Sequence, residues 1–430
     1  MKTRKYNQPW RYALTMFGLS IAGYMYTTYG TFFYTEKIGL SMQMIAAANV
    51  VYAIWDAFND PIAGYLSDRT RTPWGRRRPW MLVAVPLFIL CSILFFSPPA
   101  SLGKGLGLAL WFGSFLVLTE TSNTVVSVNY HSLLPDLYRE EGPRNSANSL
   151  RQALQLVGMI IGVSLVPAIT AALGYTNTAI VLGLLSGALI IYSILGCREQ
   201  DDYIQSEQAG LFESLKALAT NRNFWRVSLA HFFYQSTSAL LLAGIPFYIK
   251  YSLGLGDGNA TFLTGAVFVS AIPAMYLWYR LINKWGSLKC WRIALAWLGI
   301  SLIPLYFMKT LIPACICGVL VGVGLSGVIA NLDMINSALI EDDAARYGVR
   351  REATFFAGIS FITRLSSLTR SGVFLLLFAW FGFESGDNPG TMPGIAARWM
   401  MIVFPIILMA ISFIISLTLK FHKHIGKEES

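Results

Sequence analysis

Long apolar segments recur along the whole chain, and they restrict its fold more than any other feature of the sequence. Three examples are 80–98, 177–197 and 395–420, each close to the roughly 20 residues that a bilayer-spanning helix needs. Only 13% of the residues are charged, whereas a soluble domain carries roughly 25%. The sequence therefore predicts an all-α polytopic membrane protein with twelve transmembrane helices.

Basic residues are unevenly distributed between the loops, and this predicts the orientation of the chain. One set of loops contains most of them, such as Arg69, Arg76 and Arg77 after the second apolar segment. The alternate loops contain little beyond isolated lysines such as Lys37 and Lys104. Because basic loops stay on the cytoplasmic side, we expect both termini in the cytoplasm and the protein in the plasma membrane, the inner membrane of a bacterium. The net charge of +10 reflects this topology rather than nucleic-acid binding.

A central hydrophilic segment and an internal repeat predict two halves. The segment 197–225 contains "GLFESLKALA", which is typical of an amphipathic helix on the membrane surface. The pattern W-G-x-x-x-x-W occurs at 74–80 and again at 285–291, after the second and the eighth apolar segments. A repeat at matching positions indicates duplication of a six-helix unit. We predict an N-terminal half at 1–197, a cytoplasmic linker at 198–222 and a C-terminal half at 223–430.

Two aspartates, Asp56 and Asp60, interrupt the second apolar segment. Each costs about 2.5–3.5 kcal/mol at the centre of a membrane helix, and their spacing places them on one helical face. Asn59 flanks this face, and Pro61 leaves the carbonyl of Ala57 without its usual helical N–H partner. A cluster of hard oxygen atoms suits Na⁺, or a proton shared between the two carboxylates. The sequence therefore predicts a cation site here.

Other polar residues inside the apolar segments leave alternatives open. Arg151 is a candidate partner for the two aspartates, which would then only hold helices together. Glu120 lies in a polar run, "TETSNT", that predicts either a water-filled cavity or hydrogen bonds between helices. Tyr24 suits stacking on a sugar or packing, and His131 is expected to be a hydrogen-bonded interior residue. The apolar segment 353–381 carries Arg364 within a second polar run.

The loop "GYLSDRTRTPWGRRRPW" is a candidate conformational latch. Asp68 at the end of the predicted second helix faces Arg69, Arg76 and Arg77 across a tight turn. Ion pairs at this position would favour one conformation of a transporter whose halves rock. Alternatively, these arginines only enforce the topology.

Several motifs together resemble one transporter family. "IWDAFNDPIAGYLSDRTRTPWGRRRPW", "SLLPDLYREEGPRNSANSLRQ" and "EDDAARYGVRREATFFAGISFITRL" are similar to the signatures of the glycoside–pentoside–hexuronide:cation symporters. These are the melibiose-permease branch of the major facilitator superfamily. The resemblance covers essentially the whole chain, and it implies the major facilitator fold with two six-helix pseudo-repeat halves.

The resemblance also implies roles for individual residues. Asp56, Asn59, Asp60 and Thr124 match the coupling-cation site of the family. Arg151 matches a basic residue near the sugar pocket. In the second half, Arg364 stands where the melibiose permease has a lysine close to both sites.

Departures from the family pattern bear on the substrate. Ser20 and Ser127 stand where the melibiose permease has two sugar-binding aspartates, and Ala53 replaces an arginine. Loss of two anions with retention of Arg151 and Arg364 makes the pocket more positive. We therefore expect an acidic substrate such as a hexuronide or another anionic glycoside, with Ser20, Tyr24, Glu120, Ser127, Arg151 and Arg364 as the substrate-binding residues.

Two other functions remain open at this point. A lipid or lysolipid carrier of the same fold would also have altered sugar positions. A membrane prenyltransferase also has aspartates at D-x-x-x-D spacing, but it needs a second such cluster, which Asp333 and the pair Asp342 and Asp343 do not provide. We expect a monomeric transporter rather than an enzyme, with no cofactor beyond the coupling ion, Na⁺ or H⁺.

Overall fold

The structure, a computed structural model, describes residues 7–138, 141–198, 218–347, 352–384 and 386–421. Within these ranges the chain is mostly helical and contains no strand. The main helices are α1 (Pro9–Phe32), α2 (Met42–Arg69), α3 (Arg78–Phe95), α4 (Leu106–Leu137), α5 (Glu141–Ile160), α6 (Val166–Gly196), α7 (Arg222–Phe247), α8 (Ala260–Trp285), α9 (Ser287–Ser301), α10 (Ile303–Phe307), α11 (Leu311–Tyr347), α12 (Glu352–Arg364), α13 (Ser366–Phe381), α14 (Pro393–Arg398) and α15 (Phe404–Leu417). Wider helical turns extend α1 to Ile38, join α5 to α6, extend α7 to Ser252 and join α14 to α15.

Local sequence accounts for several helix ends. Pro9 occupies the first turn of α1, where its missing N–H costs nothing. The hydroxyl of Ser41 accepts a hydrogen bond from the backbone N–H of Met44 and caps α2. Asn221 caps α7 in the same way, because its side-chain oxygen accepts from two backbone N–H groups of the first turn. These caps satisfy donors that have no partner inside the helix.

Eight helical segments in the described part of the chain are long and apolar enough to span a membrane. One of them, Ser146–Gly196, has 51 residues and would be about 75 Å long if it were straight. The backbone leaves helical geometry at Gly174, where φ is 77°, so this segment is two helices. The helices α1, α2 and α4 are not among the eight, and two of them carry the predicted site acids. The count of twelve transmembrane helices therefore stays a prediction.

The apolar segment 353–381, expected as one helix, is interrupted. Its first helix, α12, ends at Arg364, and α13 begins at Ser366. The hydroxyl of Ser367 donates to the backbone carbonyl of Arg364 over 3.1 Å. Serine and threonine side chains compete in this way for backbone groups, and the polar run around Arg364 is rich in both.

The chain separates into two compact units. The first contains Met1–Ile204 together with the short segments Leu255–Thr261 and Phe374–Pro393, and the second contains the rest. In the first unit, α1 packs against α5 and α6, α2 packs along α4, and α3 packs against α4 and α6. In the second unit, α7 packs against α12 and α15, and α9 packs against α11 and α15. The predicted boundaries of the halves stay a prediction.

Both glycines of the W-G repeat have a positive φ angle. Gly75 and Gly286 have φ angles of 98° and 80°, a left-handed region that favours glycine. The preceding tryptophans, Trp74 and Trp285, are both exposed, at 61% and 43%. The repeat therefore precedes both α3 and α9, although Trp285 is the last residue of α8, whereas Trp74 lies five residues beyond the end of α2.

The structure extends this repeat towards the N-terminus. The guanidinium of Arg69 lies over the ring of Tyr65, 4.0 Å from its centroid. Arg280 lies 4.8 Å from the centroid of the Tyr276 ring and also donates two hydrogen bonds to its hydroxyl. Both pairs have the same spacing from their W-G turns in the sequence. A cation–π pair of this kind contributes about 0.5–1 kcal/mol at an exposed site.

Candidate functional site

The predicted cation-binding residues lie on two helices that pack together. Asp56, Asn59 and Asp60 are on α2, and Thr124 is on α4. Asp56, Asn59 and Thr124 are buried, with 5%, 3% and 2% of their surface exposed, and Asp60 is half-buried. Burial of a carboxylate is tolerated when charge or polar ligands compensate it.

Further polar groups lie at the contact between α2 and α4. The indole N–H of Trp55 donates to the hydroxyl of Thr121 over 2.8 Å. Among the described residues, the amide nitrogen of Asn59 on α2 is buried without a hydrogen-bond partner, which is costly for a polar group.

The described part of the chain contains no group of three or more His, Cys, Asp or Glu side chains that could hold a metal ion. The predicted site has only two carboxylates, and its other oxygen atoms come from an amide, a hydroxyl and the backbone. Such a set of hard oxygen donors suits Na⁺, or a proton shared between the two carboxylates, as the sequence predicts.

A polar stripe runs along α4. Glu120, Asn123, Ser127 and His131 are spaced so that they share one face of the helix. None of them is fully buried, although they lie within a long helix. The amide of Asn123 donates to the carboxylate of Glu120 over 3.3 Å. Ser127, predicted to bind substrate, thus lies between Glu120 and His131 on this stripe.

The helices α1 and α5 approach each other closely at Ser20. Gly158 on α5 faces the backbone oxygen of Phe17 and the side chain of Ser20. Ser20 is only 3% exposed, and its hydroxyl has no partner among the described residues. One turn further along α1, the side chain of Tyr24 lies close to that of Gln155 of α5. Ser20 therefore lies in the contact between the two helices, and the half-buried Tyr24 lies at its edge.

Arg151 on α5 is held by two neutral side chains. Its Nε donates to Oδ1 of Asn148 over 3.0 Å, and its Nη1 lies 3.4 Å from Nδ1 of His131 on α4. Among the described residues, no carboxylate lies within ion-pair distance of this guanidinium. The suggested pairing of Arg151 with Asp56 or Asp60 is absent there.

Arg364 belongs to the second unit. It is half-buried and forms the last residue of α12, next to the interruption at Leu365. The hydroxyls of Ser236 on α7 and Thr369 on α13 are hydrogen-bonded over 3.0 Å. The role of Arg364 in binding stays a prediction.

The predicted latch residues have different surroundings. Arg69 is exposed and packs on Tyr65, Arg76 is half-buried, and Arg77 is 8% exposed. Asp68 lies in α2, but its side chain is outside the described residues. The latch therefore stays a prediction.

Reasoning from the sequence missed three residues of this region. Asn148 and Gln155 share a face of α5 with Arg151, and their spacing of three and four residues could have indicated this. Gly158 could have been noticed as a small residue in a membrane helix. No sequence signal joins His131 to Arg151, because they lie on different helices.

Comparisons with known proteins identify the family. The family model "MFS/sugar transport protein" matches residues 11–423. Sodium-dependent lysophosphatidylcholine symporter 1-A of Danio rerio is 22% identical over 413 residues, which cover 85% of this chain and 76% of that protein. Inner membrane symporter YicJ of Escherichia coli is 24% identical over 414 residues, covering 90% and 86%. The isoprimeverose transporter of Lactiplantibacillus pentosus is 24% identical over 283 residues, covering 62% and 58%.

Solved structures share the fold. A bacterial homologue of the human lysosomal transporter Spinster superposes with a TM-score of 0.70 at 14% identity, covering 97% of this chain and 98% of that one. The nucleoside transporter NupG gives a TM-score of 0.68 at 12% identity, covering 96% and 99%. At these identities the likeness shows the fold alone, and it confirms the predicted major facilitator fold. With the family match and the named symporters, the predicted resemblance to glycoside–pentoside–hexuronide:cation symporters is also confirmed. The chain belongs to the MFS/sugar transport protein family and is an integral membrane transporter.

Proposed function

We propose that the protein couples the movement of a cation, Na⁺ or H⁺, to that of an anionic glycoside or sugar acid. The proposal rests mainly on Arg151, a cation within a membrane helix. Its described partners, Asn148 and His131, contact it as neutral side chains. An intramembrane charge of this kind is costly and marks a functional site. Its positive charge would be balanced by an anion on the substrate.

The cation would bind at Asp56 and Asp60, with Asn59 and Thr124 as neutral ligands. It balances one of the two negative charges and thereby favours binding of the substrate. By thermodynamic linkage, the substrate then raises the affinity for the cation by the same factor. Rocking of the two halves would open this site alternately to the two sides of the membrane. We further propose that the protein acts as a monomer in the plasma membrane, with both termini in the cytoplasm.

Proteoliposomes test this proposal. Purified protein receives an inward Na⁺ or H⁺ gradient, and uptake of p-nitrophenyl β-D-glucuronide is compared with that of the matched p-nitrophenyl β-D-glucoside. These probes differ in one carboxylate. Since a hydrogen bond to a charged group is stronger than a neutral one, we expect at least about a tenfold preference for the glucuronide. Accumulation of the glucoside with no response to the glucuronide would refute an anionic substrate.

A lysolipid substrate is the second candidate. It is favoured by the similarity to the sodium-dependent lysophosphatidylcholine symporter of Danio rerio, which extends over 85% of this chain. Lysophosphatidylcholine also carries a phosphate that a guanidinium can bind. Competition for glucuronide uptake by lysophosphatidylcholine, measured in the same vesicles, separates the two. Strong inhibition by the lipid together with lipid uptake would favour the second candidate.

A further inference from the structure

Arg151 is restrained from two directions, one within its own helix and one from a neighbouring helix. Asn148 lies one turn earlier on α5 and accepts from Nε at 3.0 Å. His131 lies on α4, 3.4 Å from Nη1. Because these partners are on different helices, the guanidinium cannot rotate about its side-chain bonds without losing one of them. The position of the charge is therefore specified by both helices.

The count of donors shows what remains for a ligand. A guanidinium has five N–H groups and no acceptor. Asn148 takes the single N–H of Nε, and His131 faces one N–H of Nη1. Three N–H groups remain on the two terminal nitrogens, and no other described residue accepts a hydrogen bond from them. Because Asn148 occupies Nε, a ligand can approach only the end of the guanidinium formed by the terminal nitrogens.

The contact with Arg151 also specifies the tautomer and the charge of the His131 ring. Arginine can only donate, so Nδ1 of His131 is the acceptor and the ring proton is on Nε2. The ring is thus uncharged when it holds Arg151. It is also exposed, whereas Arg151 is half-buried, so both are accessible to a ligand from the polar stripe of α4.

We propose that Asn148 and His131 are positioning residues that aim the terminal nitrogens of Arg151 at a planar anion. The substrate class, a carboxylate-bearing glycoside, rests on the proposed function, whereas the positioning itself rests on the contacts of Arg151. Asn148 and His131 act through Arg151 and need not touch the substrate. A carboxylate fits this end of the guanidinium with two parallel hydrogen bonds.

A double-mutant cycle tests the proposal. The dissociation constant of p-nitrophenyl β-D-glucuronide is measured by calorimetry on full-length protein in detergent. Asn148→Ala and His131→Leu should each weaken binding about tenfold, the effect of one to two hydrogen bonds. His131→Gln should restore most of the affinity, because its amide oxygen can accept from Nη1. Gln152→Ala, an exposed neighbour on α5, is the control and should leave binding unchanged.

The background of Arg151→Lys distinguishes positioning from a structural role. Lysine keeps the charge but lacks the planar fork, so Asn148→Ala should have no further effect on binding there. Such non-additivity is the signature of residues that act as one unit. If Asn148→Ala weakens binding equally in both backgrounds, or not at all in the wild-type background, the proposal is wrong. Apparent melting temperatures of all variants show whether a loss of binding reflects unfolding.

Lysophosphatidylcholine provides the second arm of the experiment. If the wild-type protein binds this lipid and not the glucuronide, the proposed substrate is wrong, and the same cycle is run with the lipid. Coupling between Asn148 and Arg151 for the lipid phosphate would then support the positioning, and additivity would overturn it. If the wild-type protein binds neither probe, both the substrate and the positioning proposal are overturned.

Discussion

The substitution Gly158→Ala tests the close approach of α1 and α5 on which the geometry around Arg151 depends. A Cβ atom at this position would lie 2.7 Å from the backbone oxygen of Phe17 and 2.9 Å from Cβ of Ser20. Real Cβ contacts essentially never fall below 3.0 Å, and ordinary contacts begin at 3.4 Å. A flexible side chain could move away, but the backbone oxygen belongs to α1. The helix must therefore shift by at least 0.3 Å from its position.

The energetic cost follows from two opposing effects. Overpacking of a close contact costs about 1–3 kcal/mol, whereas replacing glycine by alanine inside a helix gains up to about 1 kcal/mol. Gly23 on α1 provides a matched control, since a Cβ there would meet nothing within 4 Å. The gain from helix propensity is common to both variants. The difference in stability between them therefore isolates the clash, and it should be about 1–3 kcal/mol in favour of Gly23→Ala.

The assay is the apparent melting temperature in detergent, with binding of p-nitrophenyl β-D-glucuronide as a second readout. Gly158→Ala should melt about 1–3 °C below Gly23→Ala. It should also bind the probe more weakly, because Arg151 and Gln155 lie within two turns of Gly158 on α5. If the two variants melt at the same temperature, α1 and α5 are not packed at this distance, and the described contact between Ser20 and Gly158 is wrong.

Three further predictions concern the ion site, a helix cap and the surface. Asp60→Asn should abolish accumulation driven by an imposed Na⁺ or H⁺ gradient, and uptake that still rises with the gradient would contradict the assignment. Asn221→Ala removes the cap of α7 and a 2.9 Å hydrogen bond to Asp343. The melting temperature should fall, with a cost of about 1–2 kcal/mol, while the exposed Asn177→Ala should change little. Lys37→Ala breaks a partly exposed ion pair and should alter stability by less than about 1 kcal/mol, which a larger fall in melting temperature would contradict.

Much of the architecture could be predicted because it depends on local pattern. Apolar segments of bilayer length give helices regardless of their neighbours, and the turn after α2 has its counterpart after α8. The interruption at Leu365 was not predicted. It contains neither proline nor glycine, the usual signals of a helix break. It has instead a hydrogen bond from Ser367 to the carbonyl of Arg364, which depends on the rotamer adopted in the folded protein.

For the candidate site, the sequence identified the charged residues but not the contacts between them. Asp56 and Asp60 are anomalous in any apolar helix, so the sequence alone was sufficient to single them out, as it was for Arg151 and Glu120. It could not tell whether Arg151 faces an aspartate or neutral partners, because that depends on which faces of α4 and α5 meet.

The sequence by itself determined the class of protein, its family and the residues whose charges need an explanation within a membrane. Hydropathy and motif spacing are properties of short segments, and they can be determined without knowledge of the fold. Only the tertiary structure brought His131 of α4 to Arg151 of α5 and placed Ser20 of α1 against Gly158. These contacts depend on the rotation and the separation of whole helices. Both are decided by packing between residues far apart in the chain, which leaves no local signal in the sequence.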